Sequence, residues 1–172
     1  MSVPHAQLIG GRISSADAAF NMLVSSATAG RDDYNTTVLN FTAGSSRWKI
    51  DKNKNITTVN GSMVTHNVGT FTTTCSIYIN AVNTNGTPMS STTANARWYK
   101  VKIYDNGTLV RDFIPCKNAS GVIGLWDDVN SVFYGNAGTG TFTGGPAVTL
   151  TGWHRIKSIW AKTAADTWSQ AL

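Results

Sequence analysis

One stretch constrains the fold more than any other: Ala96 to Gly145, ARWYKVKIYDNGTLVRDFIPCKNASGVIGLWDDVNSVFYGNAGTGTFTGG. Trp98, Lys100, Lys102 and Tyr104 alternate with Tyr99, Val101 and Ile103, and a period of two marks a strand with one buried face. Asp105-Asn106-Gly107 tolerates positive φ, so the chain turns there and returns through Leu109, Arg111 and Phe113. Ile123, Leu125 and Trp126 run into Asp127-Asp128, and Val132, Phe133 and Tyr134 come back. Gly135 to Gly140 is too rich in glycine for a regular element and reads as a tight loop. It has neither the GK[ST] ending nor the following helix of a phosphate loop. Consecutive β-hairpins leave sheets that the rest of the chain must complete.

The remaining sequence supports an all-β chain. It holds 15 Asn, 23 Thr and 16 Gly among 172 residues, and Thr favours strands as Asn and Gly favour turns. Residues 1–13 lead into a strand. Phe20, Met22 and Val24 alternate, which favours a strand over the helix that Ser14 or Ser15 would cap. Gly30-Arg31-Asp32-Asp33-Tyr34 reads as a turn, with Val38 and Phe41 resuming the sheet. Trp48 to Gly61 reads as a hairpin with a long polar tip; Trp48 and Ile50 enter, Ile56 leaves, and Asn60-Gly61 makes the next turn. Phe71 to Val82 is a further expected strand, and residues 83–96 an expected polar loop.

KIYDNGTLVRDFIPCKN (Lys102 to Asn118) and GLWDDVNSVFYGNAGTG (Gly124 to Gly140) together closely resemble the C-terminal half of laminin-G/concanavalin-A-like jelly-roll domains in phage and prophage proteins of gut bacteria. IDKNKNITTVNG (Ile50 to Gly61) and LIGGR (Leu8 to Arg12) look like earlier parts of that domain, so the resemblance spans Leu8 to Pro146. It implies an antiparallel, jelly-roll-like β-sandwich over 1–146, used as an appended carbohydrate-binding or adhesion module. Members of the group open with an extra strand resembling YIESxGTQYIDTG. Nothing before Val3 matches it, so either the sequence begins inside the domain or another chain supplies that strand. Residues 147–172 contain Trp153, Trp160 and Trp168 and resemble Trp-rich hairpins at the ends of phage tail and structural proteins. A segment that small has no core of its own, so it is expected to pack on the sandwich or on a neighbouring subunit.

Chemistry narrows the function. The chain has no glutamate; all nine acidic residues are Asp. Glucanases of this architecture carry a pair of carboxylates in a strand motif resembling ExDxE, which this chain lacks. Asp127-Asp128 and Asp32-Asp33 are adjacent, and neighbours on a strand face opposite ways. His5, His66 and His154 are scattered, with no nucleophile elbow or Cys-His signature, and each reads as an ordinary surface or turn residue. A non-enzymatic protein is therefore expected, with no catalytic residues and no required cofactor. Cys75 and Cys116 are expected as buried free thiols, because the resembling family commonly carries the IPCKN cysteine without a partner.

Sugar recognition needs an exposed aromatic face beside hydrogen-bonding side chains. Trp126, Asp127, Asp128, Asn130, Trp98, Asn83 and Asn85 are the candidates, with Trp126 foremost. Laminin-G-like domains often hold calcium at the sandwich rim, and Asp105, Asn106 and Asp127 are the candidate oxygen ligands here. The net charge of +5 is dispersed, without a nucleic-acid motif, and suits mild attraction to anionic cell-surface polymers. The expected partners are a cell-surface glycan of a bacterial host, other virion proteins and further copies of the chain, with no nucleic acid and no membrane insertion. The expected setting is a phage tail or virion surface, after synthesis in the bacterial cytoplasm. The alternatives are a purely structural virion decoration or assembly protein and, disfavoured by the absent glutamates, a polysaccharide-degrading glycosidase.

Overall fold

The alternation of Phe20, Met22 and Val24 with Asn21 and Leu23 does form a strand, and it lies at the centre of the largest sheet. The structure, a computed structural model, describes residues 6–14, 16–89, 95–138 and 140–145, and the backbone of 160–162 and 168–170. The described residues contain no helix; the chain is all-β, built of several sheets. Its contacts divide it into two compact units, Met1–Val101 with Ala137–Thr139, and Lys102–Asn136 with Gly140–Leu172. That cut differs from the expected boundary at 146/147, beyond which most residues lie outside the described set.

The first unit contains a seven-stranded and a three-stranded sheet. In the larger one, β1 (Ala6–Arg12), β2 (Ala19–Val24), β3 (Ala29–Asn35) and β4 (Thr37–Thr42) form an antiparallel meander. The other side of β1 is covered by β8 (Tyr78–Ile79) and, in parallel, by β9 (Asn83–Thr84), which pairs with β10 (Thr87–Pro88). The smaller sheet is the meander β5 (Ile50–Asn53), β6 (Ile56–Val59) and β7 (Ser62–Thr65). Leu8, Met22 and Phe41 from the larger sheet and Val59 from the smaller meet in one core with Ala43, flanked by Trp48, Ile50 and Trp98. Gly30 pairs with Phe41 across β3 and β4, and the Phe41 ring fills the space a Cβ at Gly30 would need.

Several expectations are corrected. Residues 30–34 are the middle of strand β3, not a turn, because register with β2 and β4 holds them on both sides. Only Tyr78 and Ile79 of the expected Phe71–Val82 strand are strand, and residues 83–88 form a small hairpin. The β5–β6 turn is short, with Lys54 at φ 51°, and Ile56 points outward while Thr57 and Val59 point in.

The second unit is a four-stranded antiparallel meander of β11 (Val101–Asp105), β12 (Thr108–Lys117), β13 (Ile123–Asp127) and β14 (Val132–Tyr134). Asn106 and Gly107, at φ 45° and 82°, close its first hairpin as their sequence requires. Paired residues share a face, so Ile114, Trp126 and Phe133 lie on one side, and Phe113, Leu125 and Tyr134 on the other. In the same unit β15 (Trp160–Lys162) pairs with β16 (Trp168–Gln170). Trp153 and the rest of 147–159 lie outside the described residues.

Candidate functional site

Strand alternation places Asp32 on the inward face of β3, between Gly30 and Tyr34, looking at the three-stranded sheet. The residues opposite it repeat the same substitution of polar for apolar. Lys52 follows Ile50 on the inner face of β5, and Thr57 precedes Val59 on the inner face of β6. His66, just past β7, is fixed by its main-chain N–H, which donates to the Asn55 carbonyl at 2.7 Å, and by the Asn55 side-chain amide, which donates to the His66 carbonyl at 3.1 Å. These four side chains converge between the two sheets. Lys52 Nζ lies 3.2 Å from Asp32 Oδ2, the Thr57 hydroxyl donates to the same oxygen, and His66 Nε2 bonds Oδ1.

Almost nothing of this cluster reaches water. The side chains of Asp32 and His66 are fully covered and that of Lys52 is 4% exposed. The Lys52 ammonium sits 4.9 Å from the centre of the Phe20 ring and 5.5 Å from that of Tyr34. Burial pushes the Lys52 pKa down, against the opposing pull of the Asp32 charge and hydrogen bond and of the Asp33 charge. A carboxylate bonded by Nε2 fixes the tautomer with the proton there, leaving the buried Nδ1 without a partner among the described residues. His66 is thus an interior residue, contrary to the surface or turn role expected of it. The neighbouring Asp33 is held instead by Arg31 Nε at 2.9 Å and the Asn21 amide at 3.3 Å. Asp32 and Asp33 face opposite ways, as neighbours on a strand do.

The candidate ligand residues expected from sequence lie apart from this cluster. Asp127 is fully covered by its own turn. Its Oδ1 accepts from the N–H groups of Asp112 (3.1 Å) and Val129 (3.2 Å), and its Oδ2 from the Asn130 amide (2.7 Å), with Arg111 Nε at 3.6 Å. Covering by the turn alone would raise its pKa, but these hydrogen bonds and the Arg111 charge outweigh that effect and hold it below the ordinary carboxylate range. Asn130 also donates to the Val110 carbonyl at 2.9 Å. Asp127 therefore organises the turn and presents no free oxygen to a ligand. Asp128 and Asn130 are exposed on that turn, and Trp126, half-buried, points to the opposite face of the sheet from Asp127.

Trp98, Asn83 and Asn85 belong to the first unit. Trp98 packs on the core and donates Nε1–H to Asn80 Oδ1 at 3.2 Å. Asn83 is buried, donating to the Ser76 carbonyl and accepting from the Gly86 N–H. Asn85 occupies the β9–β10 turn at φ 48°. The three calcium candidates do not converge. Asp105 and Asn106 sit at the β11–β12 tip, whereas Asp127 pairs with Phe113, five residues from Thr108 and so about 17 Å along the strand. One ion with ligands at about 2.3–2.6 Å cannot span that gap. Among the described residues no three His, Cys or acidic side chains gather as a metal site.

Compared with protein-family models, curated proteins and solved structures, the chain matches none. The site therefore has to be read from its own chemistry. Cys75 and Cys116 are both free and half-buried, and burial pushes the Cys116 thiol pKa up, which disfavours the reactive thiolate. The Asp32 cluster escapes sequence reasoning because Asp, Lys and Thr near turns look like solvated residues. The available signal is their even spacing from Tyr34, Ile50 and Val59, which fixes them to the inward face once strands are assigned.

Proposed function

We propose that the protein is a non-enzymatic carbohydrate-binding or adhesion module of a phage or prophage structural protein, tail-associated and directed at a bacterial surface glycan. The resemblance of Lys102 to Asn118 and Gly124 to Gly140 supports the setting. The observation that carries the binding role is the 127–131 turn, pinned from inside by Asp127 while Asp128 and Asn130 are exposed and Trp126, half-buried, directly precedes the turn. A turn ordered before contact loses little freedom on binding a sugar, which favours affinity. The test is binding of purified protein to intact cells and isolated wall polysaccharides. Saturable binding that a defined sugar competes away is expected, with Asp128→Ala and Trp126→Ala weakening it about tenfold or more, at about 1.4 kcal/mol per factor of ten. Wild-type protein that binds no envelope fraction would overturn this reading.

A structural role in a virion is the second reading, favoured by one observation. β11 is an edge strand of its sheet, and that sheet exposes Ile114, Val132 and Tyr134 at 37–42%. An edge without a paired neighbour, such as β11 has among the described residues, accepts a strand from a partner through main-chain hydrogen bonds.

A further inference from the structure

The Asp32 cluster has no part in the binding role, and its chemistry points elsewhere. We propose that Lys52 and Asp32 condense into an intramolecular amide that covalently joins the two sheets of the first unit. Nζ and Oδ2 are 3.2 Å apart, which holds the amine in direct contact with the carboxyl group whose carbon it attacks. Water, which would solvate the ions and hydrolyse intermediates, is shut out by the near-complete burial of both side chains.

An ion pair is a poor resident of such a place. Desolvation of two buried charges costs several kcal/mol per ion and is repaid only by very good geometry. Burial lowers the Lys52 pKa, and in this dry setting the reactive form is reached by passing the ammonium proton to the carboxylate, which gives a neutral amine beside a neutral acid. The Nζ lone pair then attacks Cγ, a C–N bond forms, and the carbonyl electron pair moves onto Oδ1. His66 Nε2–H already bonds that oxygen and stabilises the negative charge, as an oxyanion donor does. The Thr57 hydroxyl, bonded to Oδ2, relays the proton released from Nζ to that oxygen. The C–Oδ2 bond breaks and Oδ2 leaves as water. Carboxyl and amine become amide and water with no change of oxidation state, and both buried charges disappear. His66 Nε2–H keeps its acceptor, now the amide oxygen.

The test is the intact mass of the denatured full chain, followed by mapping of its tryptic peptides. The wild type is expected to weigh one water less than its sequence and to yield a branched peptide joining Asp32 to Lys52. Lys52→Arg and Asp32→Ala are expected at full sequence mass without that peptide. A wild-type chain at full mass, or one whose missing water maps to another residue pair, would overturn the proposal. Both outcomes are read from the wild type alone, so the test decides even if a variant fails to fold.

Discussion

Asp127 shows how one side chain sets a local structure. Its two oxygens gather two main-chain N–H groups and the Asn130 amide, so the turn after β13 is closed by a carboxylate at its centre. Because its folded pKa lies below the unfolded value of about 3.9, the folded state binds fewer protons there. Its contribution is full above the unfolded pKa and is lost as the pH falls through the folded one. Urea midpoints measured from pH 6 down to pH 2 are expected to fall below about pH 4 for the wild type, with Asp127→Asn less stable at pH 6 and flatter in acid. Equal slopes for the two proteins would show that the turn does not depend on the ionised form. The sequence made Asp127 legible as a turn former but not as a covered one, since an Asp facing solvent and an Asp facing its own backbone occupy the same DDVN string.

At the scale of strands and turns, two glycines separate two kinds of constraint. Gly61 has φ +91° with open space where a Cβ would stand, whereas at Gly30 a Cβ would run into the Phe41 ring. Gly61→Ala is expected to cost about 1–2 kcal/mol from the left-handed backbone alone. Gly30→Ala adds overpacking and is expected to cost about 1–3 kcal/mol, mostly by displacing Phe41. Thermal melts of the two variants check the ranking, and the near-ultraviolet signal of Phe41 and its edge-on neighbour Trp48, 6.4 Å away, is expected to change only for Gly30→Ala. Turns carried by Asn-Gly, at 60–61 and 106–107, were legible because the pair admits a conformation few others do. The strand Ala29–Asn35 was not. Its Arg-Asp-Asp core has the composition of a turn, and only the neighbours β2 and β4 with the opposed cations make a strand of it. The reverse holds at 71–77, where alternating Thr and apolar residues suit a strand but receive no paired neighbour among the described residues.

For the molecule as a whole, the all-β class was written in the spacing of residues 96–145, while the convergence of Asp32, Lys52, Thr57 and His66 depends on which sheets face each other. Long-range placement of that kind leaves no local mark. The dispersed charge of +5 acts at this scale too. Raising ionic strength from about 10 mM to 150 mM shortens the screening length from about 30 to 8 Å. Retention on an anionic wall polymer is expected to weaken several-fold over that range, while competition by the recognised sugar persists; loss of both together would mean charge alone holds the protein there. The connection of β1 has a consequence for synthesis. One side of β1 pairs at once with β2, but the other waits for β8 and β9, and 72 residues separate Arg12 from its partner Thr84. At about 5–20 residues per second on the ribosome, that wait is roughly 4–14 s. During it the nascent chain carries an open strand edge, an invitation to pair with a neighbouring nascent copy on the same messenger. The closer the ribosomes along the message, the more often two such open edges would meet before β8 and β9 emerge.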